Sequence, residues 1–179
     1  MIQASPSKSP ITRQEYLSLR RRYEPERIRL VIIAESPPAS GLFFYDPTGR
    51  PGEPLFKALM LQLDLTPRTK QDGLMEFQRS GWVLVDATYE PADKLDDSSA
   101  NNIIARDYPL LRHDLESLMP NRSTPLILIK KNVCQILGPK LAHDKFNVLN
   151  LGQVVYFPGN GRQTEFHQQF GAIRTSAGI

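Results

Sequence analysis

Short apolar runs alternate with amphipathic stretches along nearly the whole 179-residue chain. The runs are RLVII at 29–33, WVLVD at 82–86, LILI at 126–129, and a last pair, FNVLNL and VVYF, spread over 146–157. A continuous run places apolar side chains on both faces of a strand, which suits a sheet covered on both sides. Between the runs the spacing is helical. Thr12 and Glu15 stand at capping-box distance, with Tyr16, Leu19 and Tyr23 forming the stripe behind them. EPLFKALMLQL sets Leu55, Phe56, Leu59, Met60 and Leu63 on one side, and a long segment from about Ser99 to Met119 is expected to bend at Pro109. NVCQILGPKLA and RQTEFHQQF complete the set. Strands and helices in alternation predict an α/β fold, a three-layer sandwich around a mostly parallel sheet. Residues 1–10, polar and proline-bearing, are expected to form a loose tail, and 11–179 a single domain.

Composition narrows the chemistry. The single cysteine, Cys134, leaves no partner for an intramolecular disulfide and too few thiols for a four-cysteine zinc site or a cysteine-ligated iron-sulfur cluster, and it fits a reducing compartment. His113, His143 and His167 are too widely spread to suggest a metal site, so no metal is expected. There is no apolar run of signal-peptide type and nothing near the ~20 apolar residues of a membrane span, from which a cytoplasmic protein is expected. The formal charge of +3 and pI of about 9.1 lean towards an anionic partner, an excess small enough to serve only as a tie-breaker.

The residues capable of chemistry sit where a strand has just ended. Glu35 follows the first run, Asp86 closes the second, Lys130, Lys131 and Asn132 follow the third, and FPGNGR (157–162) follows the last. In open parallel sheets the crevice outside the carboxyl ends of the strands is where ligands bind, so four separated segments are expected to converge on one cleft. In AESPPAS, Glu35 admits two roles: a carboxylate that acts as base or orients a water, or one that caps a helix or pairs with an arginine. Pro37 and Pro38 fix φ and remove two N–H donors, which argues for a stiff loop and against a phosphate cradle of backbone amides. In GLFFYDP, one of the three rings is expected to face a ligand and the others the core, with Phe44 and Tyr45 the candidates for stacking on a base. Gly159, Gly161 and Arg162, ahead of a helix start, read either as an anion site or as a plain glycine turn. Lys130 and Lys131 taken alone read as solvated, and LRRR at 19–22 as an exposed helix face.

Taken together, VIIAESPPASGLFFY, GWVLVDATYEPADKL, PLILIKKNVCQILGPKL and VVYFPGNGRQTEF resemble, in order and spacing, the uracil-DNA glycosylase superfamily, and within it members with an E-S-P-P motif. The likeness covers residues 28 to about 170 and is most specific in the first motif. It implies a central four-stranded parallel sheet between helices. It also implies hydrolysis of the N-glycosidic bond of a modified base in DNA after the base is flipped out, as in DNA repair, with DNA or a nucleobase-containing ligand as partner. Glu35 matches the water-positioning glutamate of the G-E-A-P-G branch and is the implied catalytic residue, with Ser36 beside it in the motif. Phe44 or Tyr45 would stack on the base, and Asp86 stands where an asparagine reads the base edge. Phe157, Pro158, Gly159 and Asn160 stand in the H-P-S-P position, whose following loop wedges into the duplex.

The departures carry chemical consequences. Phe157 cannot donate to the departing base, leaving Asn160, Arg162 or Lys130 as candidate donors. The iron-sulfur cluster usual in the G-E-A-P-G branch has no ligands here, and no cofactor is expected. An ionised Asp86 only accepts hydrogen bonds, so guanine, or cytosine through its amino group, is expected to suit it better than uracil. The alternative to an enzyme is a non-catalytic nucleic-acid or nucleotide binder of the same fold.

Overall fold

The computed structural model describes residues 10–179, so the expected tail lies outside the described residues except for Pro10. Six helices and four strands follow in the order α1 (Arg13–Arg21), β1 (Leu30–Ala34), α2 (Pro54–Gln62), α3 (Lys70–Arg79), β2 (Trp82–Asp86), α4 (Asp97–Leu118), β3 (Pro125–Leu128), α5 (Lys131–His143), β4 (Asn147–Val148) and α6 (Gln163–Ala177). The strands form one all-parallel sheet in the order β2-β1-β3-β4. Leu30, Ile32, Leu84 and Ile127 face a core shared with α1, α2, α3 and α6. Val31, Ile33, Val83, Val85 and Leu128 face a second core filled by α4 and α5. The result is a three-layer sandwich, and burial on both faces is why the strands read as continuous apolar runs.

Local chemistry sets the element ends. Thr12 and Glu15 form the capping box of α1 in both directions. Helix α4 is capped by Asp96, whose side chain accepts from the Ser99 amide, and it carries Pro109 within its length. Helix α3 was not expected, because its sequence, KQDGLMEFQR, is largely polar. Its signals are the Thr69 cap on the Asp72 amide and the pair Leu74 and Phe77, both fully buried. Lys70 is buried too, donating to the Phe43 carbonyl at 2.7 Å and to Glu53 at 2.5 Å.

The last strand also differs from expectation. Only Asn147 and Val148 pair with β3, and VVYF is not a strand, although the Val155 carbonyl accepts from the Lys130 amide at 2.8 Å. Past β4 a side chain takes over the ladder. Asn150 Oδ1 accepts from Leu128 N–H at 3.0 Å and its Nδ2 donates to the Leu128 carbonyl at 2.9 Å, so one amide satisfies both backbone groups. The Tyr45 phenol does the same on the opposite edge, donating to the Leu84 carbonyl at 3.0 Å and accepting from the Leu84 amide at 2.7 Å. Polar side chains therefore cap the ladder in the middle of the edge strand β2 and at the end of β3 beyond the short β4.

Candidate active site

A cavity of about 660 Å³ opens beyond the carboxyl ends of β1, β2 and β3. Glu35, Ser36, Phe44, Asp86, Lys130, Phe157, Gly159, Asn160 and Arg162 all line it, so the segments are brought together at one hollow. Pro37, Pro38, Leu55, Phe56 and Leu84 make much of its wall apolar. The diproline loop is tied to the segment after β2: Ser36 Oγ accepts from the Ala92 amide at 3.0 Å, and Asp93 accepts from the Ala39 amide at 2.8 Å. Ser36 thus spends its hydroxyl oxygen on loop architecture.

Glu35 is 7% exposed, and both of its carboxylate oxygens are engaged. Lys130 forms an ion pair with Oε2, and Asn132 Nδ2 donates to Oε1 at 2.8 Å while also reaching Asn101 at 3.2 Å. The partner is thus a lysine rather than an arginine or a helix end. Lys130 reaches it from a left-handed backbone conformation, φ +85° and ψ 136°, that L side chains rarely adopt. A conformation of this kind costs about 1–3 kcal/mol and is held by its surroundings. Here those include the Lys130 amide on Val155 and the start of α5 immediately after.

Asp86 is 5% exposed, yet among the described residues no hydrogen bond reaches its carboxyl. Burial lifts its pKa to about 7; the Arg20 cation opposes the rise and the Glu35 carboxylate adds to it. The expectation of a fully ionised Asp86 is therefore corrected, because desolvation outweighs its one cationic neighbour. That neighbour is committed elsewhere. Arg20 is buried rather than solvent-facing as LRRR suggested, gripping Asp114 at 2.6 and 2.7 Å, Glu24 at 2.9 Å and the Tyr89 hydroxyl at 3.1 Å. Burial works against its charge, but these acceptors hold it protonated.

The aromatic cluster resolves into core and wall. Tyr45 is fully buried with its hydroxyl spent on Leu84, and it does not line the cavity, which removes it as a stacking candidate. Phe44 does line it, backed by Tyr45, Phe56 and Phe77 with ring centroids 5.0–5.4 Å away. Phe157 is 38% exposed at the mouth. Gly159 lets its ring fold close, since a Cβ there would meet the ring at 3.0 Å. Asn160 at φ +51° and Gly161 at φ +82° turn the chain into α6. Arg162 lies 4.0 Å over the Tyr156 ring and pairs with Glu165 at 3.0 Å, so its charge is shared.

Several residues that build the site have no distinct mark in the sequence. Asn132 is visible only as the residue after two lysines, Asn101 lies mid-helix in a polar stretch, and Arg20 is one of three consecutive arginines. No group of three or more metal-binding side chains occurs among the described residues, and Cys134 is a buried free thiol raised in pKa by burial. No helix among the described residues is long and apolar enough to cross a membrane. No protein-family model matches the chain, and no curated protein matches it.

Proposed function

We propose that the cavity takes a nucleobase flipped out of DNA and that the protein hydrolyses its N-glycosidic bond. The observation that carries this reading is the Glu35 carboxylate, fixed by Lys130 and Asn132 at the floor of an apolar cavity of about 660 Å³, a size within the usual range for small-ligand sites. Water attacks C1′ as the C1′–N bond breaks with its electron pair leaving on the base. Glu35 orients that water, stabilises the positive charge that develops on the sugar and accepts the proton. Phe44 offers a ring face or edge to the base, and Asn160 and Lys130, which line the same cavity, are the candidate donors to the departing base in place of a histidine at Phe157. The resemblance in the E-S-P-P segment supports the same reading.

A second reading, a non-catalytic binder of nucleic acid or nucleotide, is favoured by the engagement of both Glu35 oxygens, which leaves fewer lone pairs to orient a water. One experiment separates the two. Duplex and single-stranded oligonucleotides carrying uracil, hypoxanthine and other altered bases are incubated with the protein and assayed for alkali-labile abasic sites. Hydrolysis predicts such sites on at least one substrate, with Glu35→Gln slowing their formation by about 100-fold or more. Binding without abasic sites on any substrate selects the second reading.

A further inference from the structure

Asp86 lies between two cavities. Besides the large one, it lines a second of about 280 Å³, formed with Thr88, Tyr89, Asp107 and Asp114 among others. It is thus a buried carboxyl with hydrogen-bonding capacity that the fold leaves unused, reaching the ligand space on one side and a polar opening on the other. Glu35, equally buried at the end of the neighbouring strand, has both oxygens occupied. A buried polar group without a partner is costly, and more so when charged, unless it meets a ligand. We propose that Asp86 selects the edge of the bound base by its own protonation, taking a lactam edge when neutral and a two-donor edge when ionised. The inference rests on the base-binding reading above.

The chemistry follows from donor and acceptor counts. A neutral carboxyl has one O–H to donate to a lactam carbonyl and one C=O to accept the adjacent ring N–H, a cyclic pair that fits the uracil or hypoxanthine edge. A carboxylate has acceptors only and fits two neighbouring donors, such as the N1–H and N2–H groups of guanine. The side chain therefore behaves like an asparagine in one state and reverses part of that pattern in the other.

Its surroundings leave the switch to Asp86 itself. Tyr16 and Arg20 on α1, Glu35 after β1, Tyr45 in the following loop and Tyr89 after β2 are the ionisable groups that act on it. Burial pushes all three phenols up, so they stay neutral. On α4, Asp114 is gripped by Arg20, and Asp107 is held by Thr88 and Arg106. Arg13, Arg106 and Glu90 complete the charged lining of the second cavity, with Arg106 and Glu90 paired to each other at 2.8 Å. The second cavity gives the Asp86 proton a route to solvent while the first is occupied. With its midpoint near 7, Asp86 changes state within the physiological range.

The test is calorimetric titration of the full-length protein with deoxyuridine and with deoxyguanosine at about pH 6 and about pH 8, where neither nucleoside changes charge. For a group titrating near 7, the neutral and ionised fractions each change about tenfold across this interval. Deoxyuridine should bind about tenfold more weakly at the higher pH and deoxyguanosine about tenfold more tightly. Asp86→Asn, close in shape, should make deoxyuridine binding independent of pH. Binding with the same preference at both pH values, or a pH dependence that survives in Asp86→Asn, overturns the inference and leaves the base-binding reading standing. Failure of both nucleosides to bind at either pH overturns that reading, and the inference with it.

Discussion

Glu35 and Asp86 leave adjacent, register-matched strands at the same end of the sheet, and they are buried to nearly the same degree. Their surroundings nevertheless differ. The first region supplies a cation and an amide, both delivered by the turn into α5, and ties down both oxygens of its carboxylate. The second surrounds its acid with phenols and an arginine already claimed by Asp114 and Glu24, leaving the carboxyl without a hydrogen bond. Burial alone therefore does not define a carboxyl's chemistry. What decides it is whether the polar atoms within reach are already spent.

The comparison breaks most severely if Arg20 is removed. Arg20→Met leaves the largely covered Asp114 without its cation, and losing one member of a buried pair costs about 3–5 kcal/mol. It also takes away the positive charge that opposes the rise at Asp86. Urea unfolding should show the loss of stability, and carboxyl-carbon NMR should show the Asp86 midpoint moving above its present value of about 7.

Next in size is the pH dependence that Asp86 imposes. Its folded pKa of about 7 lies above the ordinary value of 3.8, so the native state binds its proton more tightly than the unfolded chain does. The associated stability is fully present below the ordinary value and is lost as pH rises through about 7. The gap corresponds to a penalty on the order of 4 kcal/mol above that point. Asp86→Asn should therefore stabilise the protein at alkaline pH, with the advantage shrinking steadily as pH falls towards 4, as read from urea midpoints across the range. An advantage that grows on acidification would refute the assignment.

The smallest effect falls on the well-supplied side. Asn132→Ala frees one Glu35 oxygen and should cost about 1–3 kcal/mol, the range for a lost hydrogen bond to a buried charged group. The loss is read as a lower urea midpoint than that of the parent protein at neutral pH, and an unchanged midpoint would show that the Asn132 bond contributes nothing.

How legible each region was in the sequence follows from the same physics. Doubly covered strands need apolar residues on both faces, so LVII and WVLV could be read directly, and parallel pairing placed their following residues at one end. The gathering of Glu35 and Asp86 was legible for that reason, whereas Gly159 arrives on a segment that is not a strand. Helix α3 was hidden because Lys70, its buried charge, has its ion-pair partner at Glu53, the residue that precedes α2. The last strand was overread because within VVYF only Val155 is buried in the core, while Asn150 supplies the bonds a strand would have made. Tyr45 was misplaced as a stacking ring for a related reason: its hydroxyl closes the edge of β2 and holds the ring in the core. Nothing in a row of three arginines distinguishes the one whose side chain turns inward to Asp114.

The most direct test of the base-binding cavity is a crystal of the protein soaked with deoxyuridine at about pH 6. The account predicts electron density for the base in the large cavity, its ring against Phe44 and its N3–H and O4 edge on Asp86, with the sugar towards Glu35. A cavity left empty at saturating nucleoside, or a base seated elsewhere with Asp86 untouched, would contradict it.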